Sequence, residues 1–225
     1  MPHLIGTHHA ALRLATRTSE LPAPSSHPFV RKRILDLGSG AHPFPHVGHG
    51  LRYLEGIRRK VTVDLPGGPP PEIPGEWSQV HVPMDLNRWE WHVPNADLDQ
   101  RFDLIVALEL IEHVENPWSL LRFCEERLAH GGAVIVSSPD ITSQAARRHF
   151  KQHGTFPLFG EADIAGHGHI TPILPHLFRE MVTRAGLVIA EEAHNEPPKE
   201  WRQRASKAER QDVKERINVW RLERG

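Results

Sequence analysis

The run Ile34-Leu35-Asp36-Leu37-Gly38-Ser39-Gly40 reads as a buried strand that ends in a glycine turn. Glycine suits a backbone that must turn with positive φ and admit a ligand with no side chain in the way. A second apolar run, Val61-Thr62-Val63-Asp64-Leu65, ends in a carboxylate. Asp64 at such a strand end can accept two hydrogen bonds from a ribose diol, with a solvated strand-end aspartate as the plainer alternative. Met84-Asp85-Leu86-Asn87 sets a further carboxylate beside apolar residues. That pairing suits an adenine, its amino group on Asp85 and its ring against Leu86; alone it reads as a plain turn. The coincidence of these pieces with the glycine turn favours a nucleoside ligand.

Dinucleotide enzymes share the glycine turn. Their fingerprint continues with a third small residue that lets the next helix pack closely, and here that place holds Pro43, in Ala41-His42-Pro43-Phe44-Pro45. Tyr53, the only tyrosine, has no lysine four residues on, so the short-chain dehydrogenase pair is missing too. An NAD-dependent oxidoreductase is therefore the minor reading.

These residues need a scaffold that gathers strand ends. Four short apolar runs, Ile34 to Leu37, Val61 to Leu65, Phe102 to Leu108 and Ala133 to Ser137, suit strands buried on both faces. Between the last two, Pro117 to Ala129 has Leu120, Leu121, Cys124 and Leu128 on one side and charge on the other, which predicts a helix with Pro117 at its start and Gly131-Gly132 just past its end. Strand, helix and strand in this order imply parallel right-handed crossovers and an open α/β sheet, which binds ligands outside the carboxyl ends of its strands. Residues 66 to 101 read as mostly loop, with Gln79-Val80-His81-Val82 as a short strand. Further on, Pro175 to Ala185 predicts a helix ended by Gly186, and Leu187 to Ala190 a strand. Residues 198 to 215 are charged and helix-permissive, and Ile217 to Leu222 alternates at period two, as a final antiparallel edge strand would.

The organisation that follows is an N-terminal extension and linker over residues 1–30 and a domain over 31–225. In the extension, Arg13 and Arg17 break the apolar stretch from His8 onward, which argues against a secretory signal and for a frayed or lid-forming helix. Residues 140 to 175 lack clean periodicity and read as an insertion on the substrate side.

The run Phe102-Asp103-Leu104-Ile105-Val106-Ala107-Leu108-Glu109-Leu110-Ile111-Glu112-His113-Val114, a helix, and then Gly131-Gly132-Ala133-Val134-Ile135-Val136 resemble the class I S-adenosylmethionine-dependent methyltransferases. The likeness is to their small-molecule branch, the type 11/23-like one, whose fourth strand ends in a Glu-His element and whose fifth follows Gly-Gly. It covers roughly residues 31 to 191, with Asp36-x-Gly38-x-Gly40, Asp64 and Asp85-Leu86 in the family's order. The resemblance implies a Rossmann-like, open, mostly parallel seven-stranded sheet with helices on both faces, and S-adenosyl-L-methionine as cofactor. Carried over, it implies that Asp36, Gly38, Ser39 and Gly40 hold the methionine part, largely through backbone groups. Asp64 would take the ribose hydroxyls with Leu65 against the adenine, Asp85 and Leu86 would hold the adenine edge, and Glu109 with Leu110 would lie beside the sulfonium. One departure is Ala41-His42-Pro43, where many members have a small residue and another glycine; it changes the path of that loop.

Methyl transfer is an in-line displacement, so a base is needed only when the acceptor arrives protonated. An imidazole titrates near pH ~6.5, which makes His113 the best-placed general base and substrate contact. Its structural alternative is to cap the following helix or to hydrogen-bond the neighbouring loop. The segment Gly166-His167-Gly168-His169-Ile170-Thr171-Pro172 supplies His167 as a second catalytic candidate and His169 as a substrate contact, and Arg147 offers a fork for an anionic group. Trp77, Trp89, Trp91, Phe156 and Phe159 fall in loops as pocket linings or loop anchors. Among 17 histidines no third ligand stands at firm spacing from His167 and His169, so no metal is assigned, and surface imidazoles account for His8, His9, His149 and His153.

With its 17 glycines added, the 39% apolar share reaches the globular band, which excludes a disordered or collagen-like chain. Lys+Arg 27 against Asp+Glu 28 leaves a formal charge of −1, which argues against nucleic acid as the main partner. No apolar run is long enough to span a bilayer. The single cysteine, Cys124, cannot form an internal disulfide, which points to an intracellular, cytoplasmic setting. The expected function is methylation of a small molecule or of a glycan or lipid intermediate, most readily at oxygen. A non-catalytic module that binds S-adenosylmethionine is the alternative from another class.

Overall fold

The structure is a computed structural model that describes residues 2–17, 28–40, 43–45, 56–67, 78–88, 95–195 and 217–225, with backbone alone for residues 2–6 and 167. Seven strands form one sheet: β1 (Arg33–Leu37), β2 (Arg59–Asp64), β3 (Ser78–Pro83), β4 (Phe102–Ala107), β5 (Leu128–Pro139), β6 (Leu187–His194) and β7 (Ile217–Arg224). Their spatial order is β3-β2-β1-β4-β5-β7-β6. β1 to β5 pair parallel among themselves, whereas β7 pairs antiparallel with both β5 and β6. The sheet is therefore open and mostly parallel, as expected. The helices are α1 (Pro2–Thr16), α2 (Pro117–Arg127), α3 (Gln144–His153), α4 (Glu161–His167) and α5 (Pro175–Arg184).

Alternate residues of the central strands enter two separate cores, as the two-residue period of a strand requires. Leu35, Leu37, Val61, Val63, Ile105, Ala107, Val134 and Val136 point to one face, where Leu120, Leu121 and Cys124 of α2 and Phe178, Met181 and Val182 of α5 cover them. Ile34, Leu104, Val106, Ile135 and Val219 point to the other, beneath Ala10, Ala11, Leu12 and Leu14 of α1. Helices thus lie on both faces. Both faces of β1, β2 and β4 being covered, continuous apolar runs rather than alternation mark them in the sequence.

Three expectations need correction. The final strand is no edge: β7 is buried along Ile217 to Leu222, while β6 beside it is largely exposed and forms the edge. α1 is no frayed end, since Ala11 and Leu12 are fully buried and Arg221 of β7 donates through Nη1 to the Leu14 carbonyl at 2.8 Å, satisfying an orphan acceptor of the last turn. The core therefore reaches into the segment read as a leading extension. Gly131-Gly132 do not end α2; the helix stops at Arg127 and the glycines lie within β5, where the pairing with β4 slips between Phe102 and Leu104. Residues 198–215 fall outside the described residues.

Candidate active site

β1 and β2 run in parallel register, Leu37 opposite Val63, so the chain leaves β1 against the end of β2. The Gly38 and Ser39 N–H groups both donate to the Val63 carbonyl, at 2.8 and 3.2 Å. Gly38 and Gly40 have φ of +66° and +50°. A Cβ at Gly38 would stand 2.8 Å from Leu110 Cδ1, so the turn after β1 passes hard against the loop after β4. Asp64 ties the turn to its own strand: Oδ2 accepts from the Gly40 N–H and Oδ1 from the Leu65 N–H at 2.7 Å. Each oxygen of the half-buried carboxylate keeps a further lone pair for a hydroxyl. Close to the same turn, the buried Ser39 hydroxyl and Glu109 Oε1 have no hydrogen-bond partner among the described residues. Buried polar atoms are ordinarily satisfied, and these two are exceptions among the described residues.

Asp36 acts differently from the other residues of the motif. Its buried carboxylate turns inward, accepting from the Phe44 N–H at 2.6 Å and lying 3.9 Å from the Nζ of Lys60, which is itself fully buried in β2. Lys60 Nζ also donates to the Pro45 carbonyl at 3.4 Å. Burial lifts the Asp36 carboxyl to about 7 against the pull of Lys60, and burial lowers the Lys60 ammonium to about 8 against the pull of Asp36. The pair holds the chain beyond Gly40, so Asp36 shapes the turn. Sequence reasoning missed Lys60; its signal was a lysine inside an apolar strand, a place where a charge needs a partner.

At the end of β3 the Met84 N–H donates to the Asp64 carbonyl at 2.8 Å, which sets Asp85 and Leu86 beside the glycine turn's edge. Asp85 accepts from the Asn87 N–H at 2.9 Å and pairs with Arg88 Nε at 3.3 Å. Leu86 is buried in the core, whereas Leu65 is 59% exposed. Asn87, another residue not singled out in the sequence, staples this loop to the next: its Nδ2 donates to the His113 carbonyl at 3.2 Å and its Oδ1 accepts from the Glu115 N–H at 2.8 Å.

β4 leads into a tight turn. Glu109 adopts φ +48°, with its N–H donated to Ser137 Oγ at 2.8 Å. Burial raises the Glu109 carboxyl, opposed by a hydrogen bond from Thr7 of α1, so the first helix reaches over this site. Ile111–His113 form a single 3₁₀ turn, and Asn116 caps α2 by accepting from the Ser119 N–H at 3.1 Å. The capping alternative for His113 is thus excluded. Glu112 is fully buried; burial pushes its carboxyl well up, and the Glu109 charge pushes it further. His113 meets His169 edge to face, ring centroids 4.5 Å apart at 81°, with Phe159 5.5 Å from His169. The Ile170 and Thr171 N–H groups both donate to the Glu112 carbonyl at 2.9 Å, and Thr171 Oγ1 donates to the Val114 carbonyl at 2.7 Å. These bonds lock the segment after α4 onto the turn after β4.

Of the substrate candidates, His113 and His169 therefore come together. Arg147 is exposed on α3 and lines a different hollow, with Asp140, Arg179, Glu192, His194 and Asn218. His167 ends α4, but its side chain lies outside the described residues, as do Trp77, Trp89 and Trp91. His8 is buried, its ring 5.9 Å from that of Phe44, and so is not a surface imidazole.

A family model described as a methyltransferase domain matches residues 7–192. Among curated proteins, the chain is 26% identical over 109 residues to a ubiquinone biosynthesis O-methyltransferase of Pseudomonas putida (strain W619), covering 48% of this chain and 44% of that one. It is 28% identical over 123 residues to a protein of that description from Cereibacter sphaeroides (strain ATCC 17029 / ATH 2.4.9), covering 53% and 45%. The matched stretch thus spans less than half the length of either relative. Among solved structures, an S-adenosylmethionine dependent methyltransferase from Mesorhizobium loti superposes with a TM-score of 0.59 at 18% identity, covering 97% of this chain and 98% of that one. The N-methyltransferase NodS from Bradyrhizobium japonicum WM9 gives 0.54 at 15%, covering 99% and 97%. At these identities the likeness is one of fold.

Proposed function

The chain belongs to the methyltransferase-domain family, and with it to the class I S-adenosylmethionine-dependent methyltransferases; from that premise we propose that it methylates a hydroxyl oxygen of a small molecule, free or carried as a glycan- or lipid-linked intermediate. The observation that carries this reading is the Asp64 carboxylate, bound to the Gly40 and Leu65 N–H groups beside the unpartnered Ser39 and Glu109 oxygens. Those residues fit a donor with a ribose at one end and a charged amino-acid tail at the other. When bound, the cofactor supplies an electrophilic methyl group on sulfur. The chain's part is to hold and align. Gly38, Ser39 and Gly40 fix the tail through backbone groups, Asp64 takes the diol, Asp85 with Leu86 and Leu65 edge the adenine, and Glu109 with Leu110 stands beside the reacting centre.

On the acceptor side, His113 and His169 meet on a braced turn, where they receive the acceptor's oxygen and its proton. His167, two residues earlier, is the second base, whereas Arg147 faces a separate hollow and is left out of the acceptor site. The lone cysteine supports a cytoplasmic setting. The stretch 140–175 serves as the substrate-side insertion of a domain over residues 31–225, against which α1 packs. Isothermal titration with S-adenosylhomocysteine, with NAD as the control, tests the donor half, and a screen of hydroxylated acceptors with labelled S-adenosylmethionine tests the rest. Micromolar binding of S-adenosylhomocysteine alone is expected. Binding of NAD in its place overturns the reading.

A further inference from the structure

The hollow beside Arg147, about 300 Å³ in volume, opens where β5 hands over to α3, and the starts of α5 and β7 with the end of β6 complete its walls. Small-ligand sites begin at about that size. Asn218 of β7 stands in the wall and is only 7% exposed, yet its side-chain amide makes no hydrogen bond among the described residues. Buried amides are ordinarily satisfied, so its N–H groups and oxygen remain available to a ligand in the hollow. Arg147 enters from α3, and its guanidinium has neither ion pair nor hydrogen bond among the described residues. Ser143 Oγ accepts from the Ala146 N–H at 3.1 Å, whereas the Gln144 and Ala145 N–H groups begin the helix and have no acceptor within it. A negative charge is favoured at such an end.

The other charges of the lining decide which anion fits. Arg179 is paired with Glu192 at 3.3 Å, and the Asp140 carboxylate accepts from the Thr142 N–H and hydroxyl at 2.9 and 2.8 Å. With Arg147, these make two arginines against two carboxylates. A dianion such as a phosphate monoester would meet both carboxylates with one unpaired cation to hold it. A planar monoanion with two oxygens matches the guanidinium fork and leaves an oxygen for the Asn218 amide. Trp220, its ring centroid 4.1 Å from that of Phe178, and Pro175 supply an apolar wall for the body of the ligand. We propose that this hollow binds the carboxylate of a small organic acid, held by Arg147 and Asn218 at the start of α3. The site is separate from the His113–His169 turn and does not depend on the methyl-transfer reading. Because its donors come from α3 and β7, an occupied site fastens the beginning of the 140–175 stretch to the sheet. The sequence hid it: Arg147 was visible as a fork for an anion, but Asn218 is 71 residues further on in a strand.

The test is isothermal titration of the full chain, free of cofactor, with benzoate, taking benzamide as the neutral counterpart and phenyl phosphate as the dianion. One benzoate per chain is expected, with no binding of benzamide and weaker binding of phenyl phosphate. Arg147→Gln and Asn218→Ala should each lower benzoate affinity by about tenfold or more, the loss of a charge-assisted or buried hydrogen bond. Arg148→Gln, exposed on the same helix, alters the charge without touching the hollow and should bind benzoate as the parent does. Failure of the parent to bind benzoate, equal binding of benzamide, or equal or tighter binding of phenyl phosphate overturns the proposal. So does an unchanged affinity in either folded variant, or a loss in Arg148→Gln as large as in Arg147→Gln. Should Asn218→Ala not fold, as circular dichroism would show, Arg147→Gln alone decides, since that side chain is exposed. Binding of S-adenosylhomocysteine to the same samples reports separately on the donor half.

Discussion

Replacing Gly38 with alanine probes the closeness of the two loops that build the site. At φ +66° an alanine is strained by about 1–2 kcal/mol. The new Cβ would also stand 2.8 Å from Leu110 Cδ1 and 3.3 Å from its Cβ and Cγ, an overpacking worth about 1–3 kcal/mol. Together these destabilise the fold by about 2–5 kcal/mol. Gly40 is the internal control. Its φ is +50°, but the nearest atom to an added Cβ is Asp64 Oδ2 at 4.0 Å, so Gly40→Ala pays only the backbone part, about 1–2 kcal/mol. Urea denaturation of the two variants, with Leu110→Ala and the Gly38→Ala/Leu110→Ala double variant, separates the components. The double variant should be more stable than the sum of its singles by about the overpacking energy. Equal losses for Gly38→Ala and Gly40→Ala, or strict additivity with Leu110→Ala, would refute the contact.

Asp64→Ala removes the diol acceptor and should weaken S-adenosylhomocysteine binding by on the order of 1–3 kcal/mol in a calorimetric titration; unchanged affinity sinks that role. Asp36 titrates near 7 when folded and near its ordinary 3.8 when unfolded, so its stabilisation is fully present below the unfolded value and is lost as pH rises through 7. Asp36→Asn should flatten that decline in chemical denaturation between those values, and an unaltered slope would assign the decline elsewhere. Cys124 is buried and its thiol pushed up to about 12, so it should react with a thiol reagent at neutral pH only as fast as the chain unfolds. Rapid labelling of the native protein would contradict its placement.

The central sheet was legible because strands covered on both faces leave unbroken apolar runs, as in Ile34 to Leu37 and Phe102 to Ala107. β7 was recognised as an antiparallel strand yet put at the edge. Period-two alternation reports that a strand has two unlike faces and says nothing of how many neighbours it has. The residues expected to hold the donor could be named because each falls in one short segment at a strand end, although Asp36 among them turns inward to Lys60. What escaped were groups that matter through contacts distant in sequence: Lys60 beneath Asp36, Asn87 between two loops, and Thr7 of α1 against Glu109. His113 and His169 were each singled out, but their meeting depends on backbone bonds from Ile170 and Thr171 that no periodicity encodes.

The interior position of β7 has a bearing on synthesis. β6 leaves the ribosome before β7 but, among the described residues, pairs only with it, and β7 in turn sits between β6 and β5. The flank of β5 must therefore stay open until residues 217–224 emerge, and Arg221 then closes on the α1 carbonyls at the far end of the chain. Vectorial folding can finish β1 to β5, whereas the last step inserts one strand into a gap between two waiting partners. Such long-separation closure is slow, and during it the β5 flank and β6 are both edges that a second nascent chain could seize.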